Sequence, residues 1–315
     1  MIWDFFRSSD EEPLTDRQKE DKKNFDILKY DGIKAQQMRR TDYAIRCFTE
    51  ALKIQQDIET MNFLASAYVM SSAYEKALEV SNELNVIDPG KVSTLLTRAN
   101  LLFVMDRFTE VIADCTQIIE LDPANHTARY LQARAQQALG DLSGSVACLS
   151  EAIALAEDFA EAYQLRAEIY VTMQRIDEAL QDADQAVQLL SEDETALLLR
   201  GRIHELLGNV AKAADDYQQA LALNPFNETS YLTFGRLLLQ QEKYDGAIAV
   251  FDEAIEHNDQ SAKVYAERAR AKKAKGDKEG AASDLQQAKE LAAEDEDAPN
   301  GGEQNFDDLY KGNIL

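Results

Sequence analysis

Few residues in this sequence have the types and spacing that catalysis or metal binding requires. The string His204-Glu205-Leu206-Leu207-Gly208 is the one that most resembles a metal-binding helix, but it lacks the second histidine that would place two ligands on one helical face. Three cysteines occur without CxxC spacing, namely Cys47, Cys115 and Cys148. His204 falls at a packing position, so we interpret it as a core or boundary residue. We predict no catalytic residue, no cofactor and no metal, and therefore a protein that is not an enzyme.

Arginines at one recurring position are stronger candidates for a binding role. Arg202, Arg236 and Arg270 follow each other at intervals of 34 residues, and Arg134 lies two such intervals before Arg202. A guanidinium binds a carboxylate through two parallel hydrogen bonds. These arginines are a local reversal of sign in a chain with 33 basic and 57 acidic residues, a net charge of −24. The pattern predicts a basic seam that accepts an acidic ligand.

The overall charge excludes two classes of partner. Nucleic-acid binding needs clusters of Lys and Arg that displace counterions from phosphates, and docking on anionic lipid needs the same clusters. The sequence contains no run of about 18 apolar residues, so we predict no membrane span. The start, MIWDFFRSSDEEPL, has neither the basic nor the long apolar region of a signal peptide. Together with the sparse cysteines, these features lead us to expect a cytoplasmic protein.

A repeat of 34 residues must position these arginines. It is clearest in residues 194–227, where positions are counted from Glu194. The marker positions 8, 15, 20, 24, 27 and 32 hold Gly201, Gly208, Ala213, Tyr217, Ala220 and Pro225. The same pattern predicts an array over 25–295, with repeats at 25–57, 58–91, 92–125, 126–159, 160–193, 194–227, 228–261 and 262–295.

Each repeat has the apolar periodicity of two helices. Positions 4, 7–8 and 11 share one face of a first helix, and positions 20, 24 and 27 share one face of a second. Gly140, Gly208 and Gly276 stand at position 15, where we expect a left-handed turn between the two helices. Because one helix pair cannot bury its apolar face alone, the repeats are expected to stack.

Two segments flank the predicted array. Residues 1–24 form an N-terminal extension that carries Trp3, Phe5 and Phe6, which could dock on the first helix pair, bind a partner or stay mobile. Residues 296–315 form an acidic tail that we expect to be flexible.

The small residues at positions 8 and 20, the aromatic residue at 24, Ala at 27 and Pro at 32 resemble the tetratricopeptide repeat family. Position 4 departs from that pattern, since it is clearly aromatic only in Tyr163, Tyr231 and Tyr265. The resemblance implies an all-α, right-handed α-solenoid superhelix of antiparallel helix pairs. It also implies a concave groove lined by positions 2, 5, 9, 12 and 13 of the first helices.

A second set of arginines is predicted to be structural. Four repeats have Arg at position 7 and Asp at position 23, and the other four have neither residue. A hairpin that turns at position 15 places positions 7 and 23 opposite each other. The expected ion pairs, each worth about 0.2–1 kcal/mol if exposed, are Arg98–Asp114, Arg166–Asp182, Arg200–Asp216 and Arg268–Asp284.

The predicted groove combines the basic seam with an apolar floor. Its candidate residues are Asn100, Phe103, Tyr130, Arg134, Leu198, Arg202, Leu232, Arg236 and Arg270. A groove of this kind suits a protein or peptide segment with acidic and apolar residues. In the alternative interpretation, the arginines pair with Glu161, Glu168, Glu205 or Glu267 and only make the face soluble.

We predict a non-catalytic protein-interaction scaffold that holds a peptide or protein segment in this groove. The alternative is a regulatory protein that senses a ligand or peptide and changes the shape of its superhelix. The tail has Phe306, Leu309 and Tyr310 at helical spacing beside acidic residues. It could therefore occupy its own groove or that of a second copy, or it could be only a solubilising tail.

Overall fold

The computed structural model describes residues 15–296 of the 315-residue chain. Within that range the chain forms sixteen α-helices and no β-strand, which confirms the all-α prediction. Residue contacts divide the chain into two compact units, Met1–Glu157 and Asp158–Leu315, which we call the N-terminal unit and the C-terminal unit.

Each unit contains eight consecutive helices. Those of the N-terminal unit are α1 (Asp16–Gln37), α2 (Thr41–Ile54), α3 (Ile58–Met70), α4 (Tyr74–Ile87), α5 (Val92–Val104), α6 (Phe108–Leu121), α7 (His126–Ala138) and α8 (Leu142–Leu155). Those of the C-terminal unit are α9 (Ala160–Thr172), α10 (Ile176–Leu189), α11 (Glu194–Leu206), α12 (Val210–Leu223), α13 (Glu228–Gln240), α14 (Tyr244–His257), α15 (Ala262–Lys275) and α16 (Lys278–Glu296).

The odd-numbered helices from α3 to α15 begin at the residues where predicted repeats two to eight begin. The residue before each of these helices is the last residue of the preceding repeat, and in most cases its side chain caps the helix. The capping residues, whose side-chain oxygens accept a hydrogen bond from a backbone N–H of the helix that follows, are Asp57, Asn125, Asp193, Asn227 and Ser261. Such a cap satisfies one of the unpaired N–H groups at a helix start.

Helix α1 begins well before the predicted first repeat. Residues 16–24, which the sequence placed in an N-terminal extension, form its first turns. A reciprocal cap explains this start: Thr15 N donates to Gln18 Oε1 (2.8 Å), and Gln18 N donates to Thr15 Oγ1 (3.3 Å). The roles considered for Trp3, Phe5 and Phe6, and those for the tail beyond Glu296, lie outside the described residues.

The turn at position 15 is left-handed in all eight helix pairs, as predicted for Gly140, Gly208 and Gly276. In each pair the N–H of position 16 also donates to the carbonyl of position 11, which is the Schellman bond. Five pairs adopt this turn without glycine, with φ between 56° and 60°, at Arg39, Ser72, Asp106, Gln174 and Glu242. The hydrogen bond therefore maintains the turn where the residue disfavours it.

Residue size at position 8 is matched to residue size at position 24. A Cβ atom added to Gly32 or Gly201 would lie 2.5 Å from the ring of Phe48 or Tyr217, and Gly235 is equally close to Phe251. The other five repeats have Ala at position 8 and no aromatic residue at position 24. Glycine at position 8 thus makes room for a buried ring between the two helices.

The four predicted Arg–Asp pairs are present. In each, the guanidinium Nε and Nη2 donate to the two oxygens of one carboxylate, as in Arg166 to Asp182, where both distances are 2.7 Å. The aspartate side chains are almost fully buried, so the small stabilisation of about 0.2–1 kcal/mol expected for an exposed ion pair does not apply. A buried pair stabilises only as an intact pair, because removing one partner leaves an uncompensated charge.

Three of the arginines at position 7, Arg98, Arg200 and Arg268, also bind the preceding repeat. Nη1 of Arg98 donates to Asn82 (3.1 Å), and Nη1 of Arg268 donates to Asp252 (2.7 Å). Both acceptors stand at position 25 of the repeat before. These arginines therefore join neighbouring repeats within a unit as well as the two helices of one repeat.

Candidate functional site

The candidate residues lie on first helices, which contact each other within each unit. In the N-terminal unit α1 contacts α3 and α5 contacts α7, while in the C-terminal unit α9 contacts α11 and α13 contacts α15. Side chains at position 9 of one first helix therefore lie near those of the next first helix. Each unit presents its own set of candidate residues.

In the N-terminal unit, Arg134 brings three candidates together. Its guanidinium carbon lies 4.3 Å from the ring centroid of Phe103 and 5.9 Å from that of Tyr130. All three side chains are half-buried. Within residues 15–296, Arg134 forms no ion pair and no hydrogen bond. When a guanidinium stacks on a ring face, its N–H donors point outward in the guanidinium plane and remain free to bind a ligand.

The ring of Phe103 is held by its own neighbours. It meets Phe108 edge to face, with centroids 5.3 Å apart, and packs against buried residues of α5 and α6. Asn100, one turn earlier on α5, is exposed and donates from Nδ2 to the carbonyl of Leu96 (2.9 Å). The structure thus places Asn100 on the surface, with its amide turned back on its own helix.

In the C-terminal unit, Arg202 is exposed and has no ion-pair partner among the described residues. The pKa of nearby Glu168 is raised because surrounding protein displaces water from its carboxylate, and Arg202 partly opposes that rise. Glu168 is itself exposed, so Arg202 lies near a carboxylate that water still reaches.

Arg236 and Arg270 follow the alternative interpretation, because both pair with Glu267. Nε of Arg236 donates to Glu267 Oε1 (2.9 Å), and Nη1 of Arg270 donates to Oε2 (2.8 Å). Glu205, another acid considered as a partner, instead accepts from the buried Tyr217 hydroxyl (3.0 Å). The carboxylates named in that interpretation are thus not equivalent.

The two leucine candidates are less accessible than predicted. Leu232 is only 8% exposed and belongs to a core cluster of α12 to α15. Leu198 is half-buried and packs against the same cluster. Position 5 is thus occupied here by side chains that belong to the core or pack against it. The sequence analysis considered Glu267 only as a partner in the alternative interpretation and not among the groove candidates, although it binds two of them.

The residues that first suggested chemistry are packing residues. His204 is buried, and burial lowers the pKa of its imidazole. Cys47 and Cys115 are buried, Cys148 is half-buried, and all three are unpaired. Among the described residues, no group of three or more His, Cys, Asp or Glu is arranged to hold a metal. Across residues 15–296, no helix has both the length and the apolar character that crossing a bilayer requires.

Two family models, both described as tetratricopeptide repeat, match this chain. One matches residues 130–194 and 165–228, and the other matches residues 205–271. No curated protein sequence matches it.

Solved structures share the fold at low sequence identity. A tetratricopeptide repeat protein from Parabacteroides merdae ATCC 43184 is 18% identical, with a TM-score of 0.57 over 74% of this chain and 93% of that chain. Pseudomonas aeruginosa pilF is 20% identical, with a TM-score of 0.54 over 64% of this chain and 97% of that one. MamA is 17% identical, with a TM-score of 0.51 over 57% and 98% respectively. At this identity the likeness concerns the fold alone.

Proposed function

This chain is a tetratricopeptide repeat protein, and we propose that it is a non-catalytic scaffold that binds a peptide or protein segment on its first helices. The division into eight repeats between an N-terminal extension and an acidic tail is part of the proposal. The observation that carries it is the unpaired guanidinium of Arg134, stacked on Phe103 and near Tyr130.

The chemistry of this cluster defines the ligand. The guanidinium edge offers in-plane donors for a carboxylate, and the aromatic rings offer apolar surface for a neighbouring side chain. Because the rings hold the guanidinium in place, little side-chain entropy is lost when a ligand binds. The partner is a segment in which an acidic residue stands beside an apolar residue.

The location follows from cysteine chemistry. Three unpaired cysteines, two of them buried, suit a reducing compartment, so we propose that the protein acts in the cytoplasm.

Selection from a phage-displayed library of random peptides on the full chain tests the function. We expect enriched peptides to combine acidic and apolar residues. Their affinity, measured by fluorescence anisotropy, is expected to fall about tenfold or more on Arg134→Gln, as the loss of a charge-assisted hydrogen bond implies. Circular dichroism verifies that the variant is folded.

Arg46→Gln is the matched control. Arg46 also stacks on an aromatic ring, with its guanidinium carbon 5.7 Å from the Tyr43 centroid, but it lies on the second helix α2. Binding is expected to be unchanged in this variant. The proposal fails if the library yields no enriched peptide, or if the two variants affect binding equally.

A further inference from the structure

Arg236, Glu267 and Arg270 form a compact cluster between α13 and α15. Glu267 uses one oxygen for Arg236 Nε (2.9 Å) and the other for Arg270 Nη1 (2.8 Å). Its side chain is only 10% exposed, whereas those of Arg236 and Arg270 are 52% and 57% exposed. A buried carboxylate therefore anchors two arginines whose guanidinium groups remain largely open to solvent.

The ratio of charges in this cluster differs from that in the structural pairs. Arg200 binds the two carboxylates of Asp216 and Asp184, and Arg268 and Lys272 together bind those of Asp284 and Asp252. In the cluster, two arginines share one carboxylate and leave a positive charge. Joining α13 to α15 would need only one arginine. The second guanidinium adds binding capacity that the fold does not use.

The cluster is also prearranged for a ligand. Each guanidinium gives one N–H to Glu267 and keeps the remaining donors of its planar fork. Because both side chains are held by the same anchor, less rotamer entropy is lost when a third carboxylate binds. In a chain of net charge −24, a local positive charge also attracts an anionic group specifically to this place.

We propose that Arg236, Glu267 and Arg270 form a receptor for one carboxylate of a bound acidic peptide, an inference that rests on the proposed function. The ligand carboxylate bridges the two guanidinium groups on the solvent side, opposite Glu267. It comes from an Asp or Glu side chain or from a peptide C-terminus, which present the same group.

A thermodynamic cycle between peptide and protein tests the receptor. In the peptides selected on the full chain, each Asp is replaced in turn by Asn and each Glu by Gln. In a separate arm, the peptide C-terminus is amidated. We expect one of these changes to weaken binding to the wild type about tenfold. The same change is expected to have almost no effect on the double variant Arg236→Gln, Arg270→Gln. The arm that responds identifies the source of the carboxylate.

Arg236→Lys with Arg270→Lys serves as the second variant if the double glutamine variant is not folded. It keeps both charges but loses the forks, so the selected peptides are expected to bind it several-fold more weakly. If peptides depend on Arg134 but keep full affinity for the Arg236 and Arg270 variants, the receptor is refuted and the scaffold function stands. If no peptide is recovered on the wild type, both proposals fail.

Discussion

Arg200 binds Asp216 through two parallel hydrogen bonds, Nε to Oδ2 at 3.0 Å and Nη2 to Oδ1 at 2.6 Å. The carboxylate is only 3% exposed, so it relies on the guanidinium in place of water. Nη1 of the same arginine reaches Asp184, at 3.4 Å, on the preceding repeat. One arginine therefore has a buried and an exposed partner, and the two can be compared directly.

Replacing Asp216 by Asn is expected to lower the free energy of unfolding by about 3–5 kcal/mol, because the half-buried guanidinium of Arg200 loses its buried counter-charge. The matched change Asp184→Asn affects an exposed partner and is expected to cost under about 1 kcal/mol. Denaturant unfolding followed by circular dichroism measures both. Equal losses would show that burial does not decide the value of these pairs.

The close contact between Gly235 and Phe251 predicts a second effect. A methyl group on Gly235 would lie under 3.0 Å from the Phe251 ring, so Gly235→Ala is expected to destabilise by about 1–3 kcal/mol despite its better helix propensity. In Gly246→Ala, the new Cβ lies 3.6 Å from a Leu238 methyl group, an ordinary contact. That control is expected to be neutral or slightly stabilising.

The same contact predicts a specific rescue. Adding Phe251→Leu to Gly235→Ala recreates the Ala–Leu combination of Ala133 with Leu149 in the fourth repeat. We expect the double variant to have a free energy of unfolding below that of the wild type, and we expect this loss to be about 1 kcal/mol smaller than the sum of the losses in the two single variants. Simple additivity would mean that positions 8 and 24 are not coupled.

Left-handed turns without glycine offer stabilising substitutions. Gln174 and Glu242 are exposed and have φ angles of 60° and 58°, where a Cβ atom is disfavoured. Gln174→Gly and Glu242→Gly are each expected to raise the free energy of unfolding by about 1 kcal/mol. Glu242→Ala keeps the Cβ atom and should give no such gain in denaturant unfolding. An equal gain from alanine would assign the effect to the glutamate side chain.

The ionisation of Asp284 is expected to make the stability of the last repeat depend on pH. Burial would raise the pKa of Asp284, but hydrogen bonds from Arg268 and Lys272 outweigh it, so the pKa is lowered from 3.8. The stabilisation is therefore present at neutral pH and is lost as pH falls through the folded-state pKa. Asp284→Asn is expected to reduce Tm at pH 7, and the gap to wild type should close below pH 4 or so.

Thermal unfolding of wild type and Asp284→Asn between pH 7 and pH 3 measures this gap. Asp252→Asn is the control, because it removes the exposed partner of Arg268 and should lower Tm only slightly. A gap that stays constant over the whole pH range would exclude ionisation of Asp284 as its cause.

Much of the fold is readable from the sequence because the repeat has a constant length. A fixed spacing of 34 residues places equivalent positions in equivalent surroundings, so one repeat predicts the next. Helix starts such as Glu194, the left-handed turn at Gly208 and the pairing of Arg200 with Asp216 depend on contacts within one helix pair. Local spacing is enough to predict them.

Contacts between repeats required the tertiary structure. Arg134, Arg202, Arg236 and Arg270 share position 9, yet one stacks on aromatic rings, one is unpaired and two bind Glu267. The register predicts the direction in which a side chain points. It does not say whether a ring, a carboxylate or water meets that side chain on the next helix. That neighbour differs between repeats, and it determines how many donors of each arginine remain for a ligand.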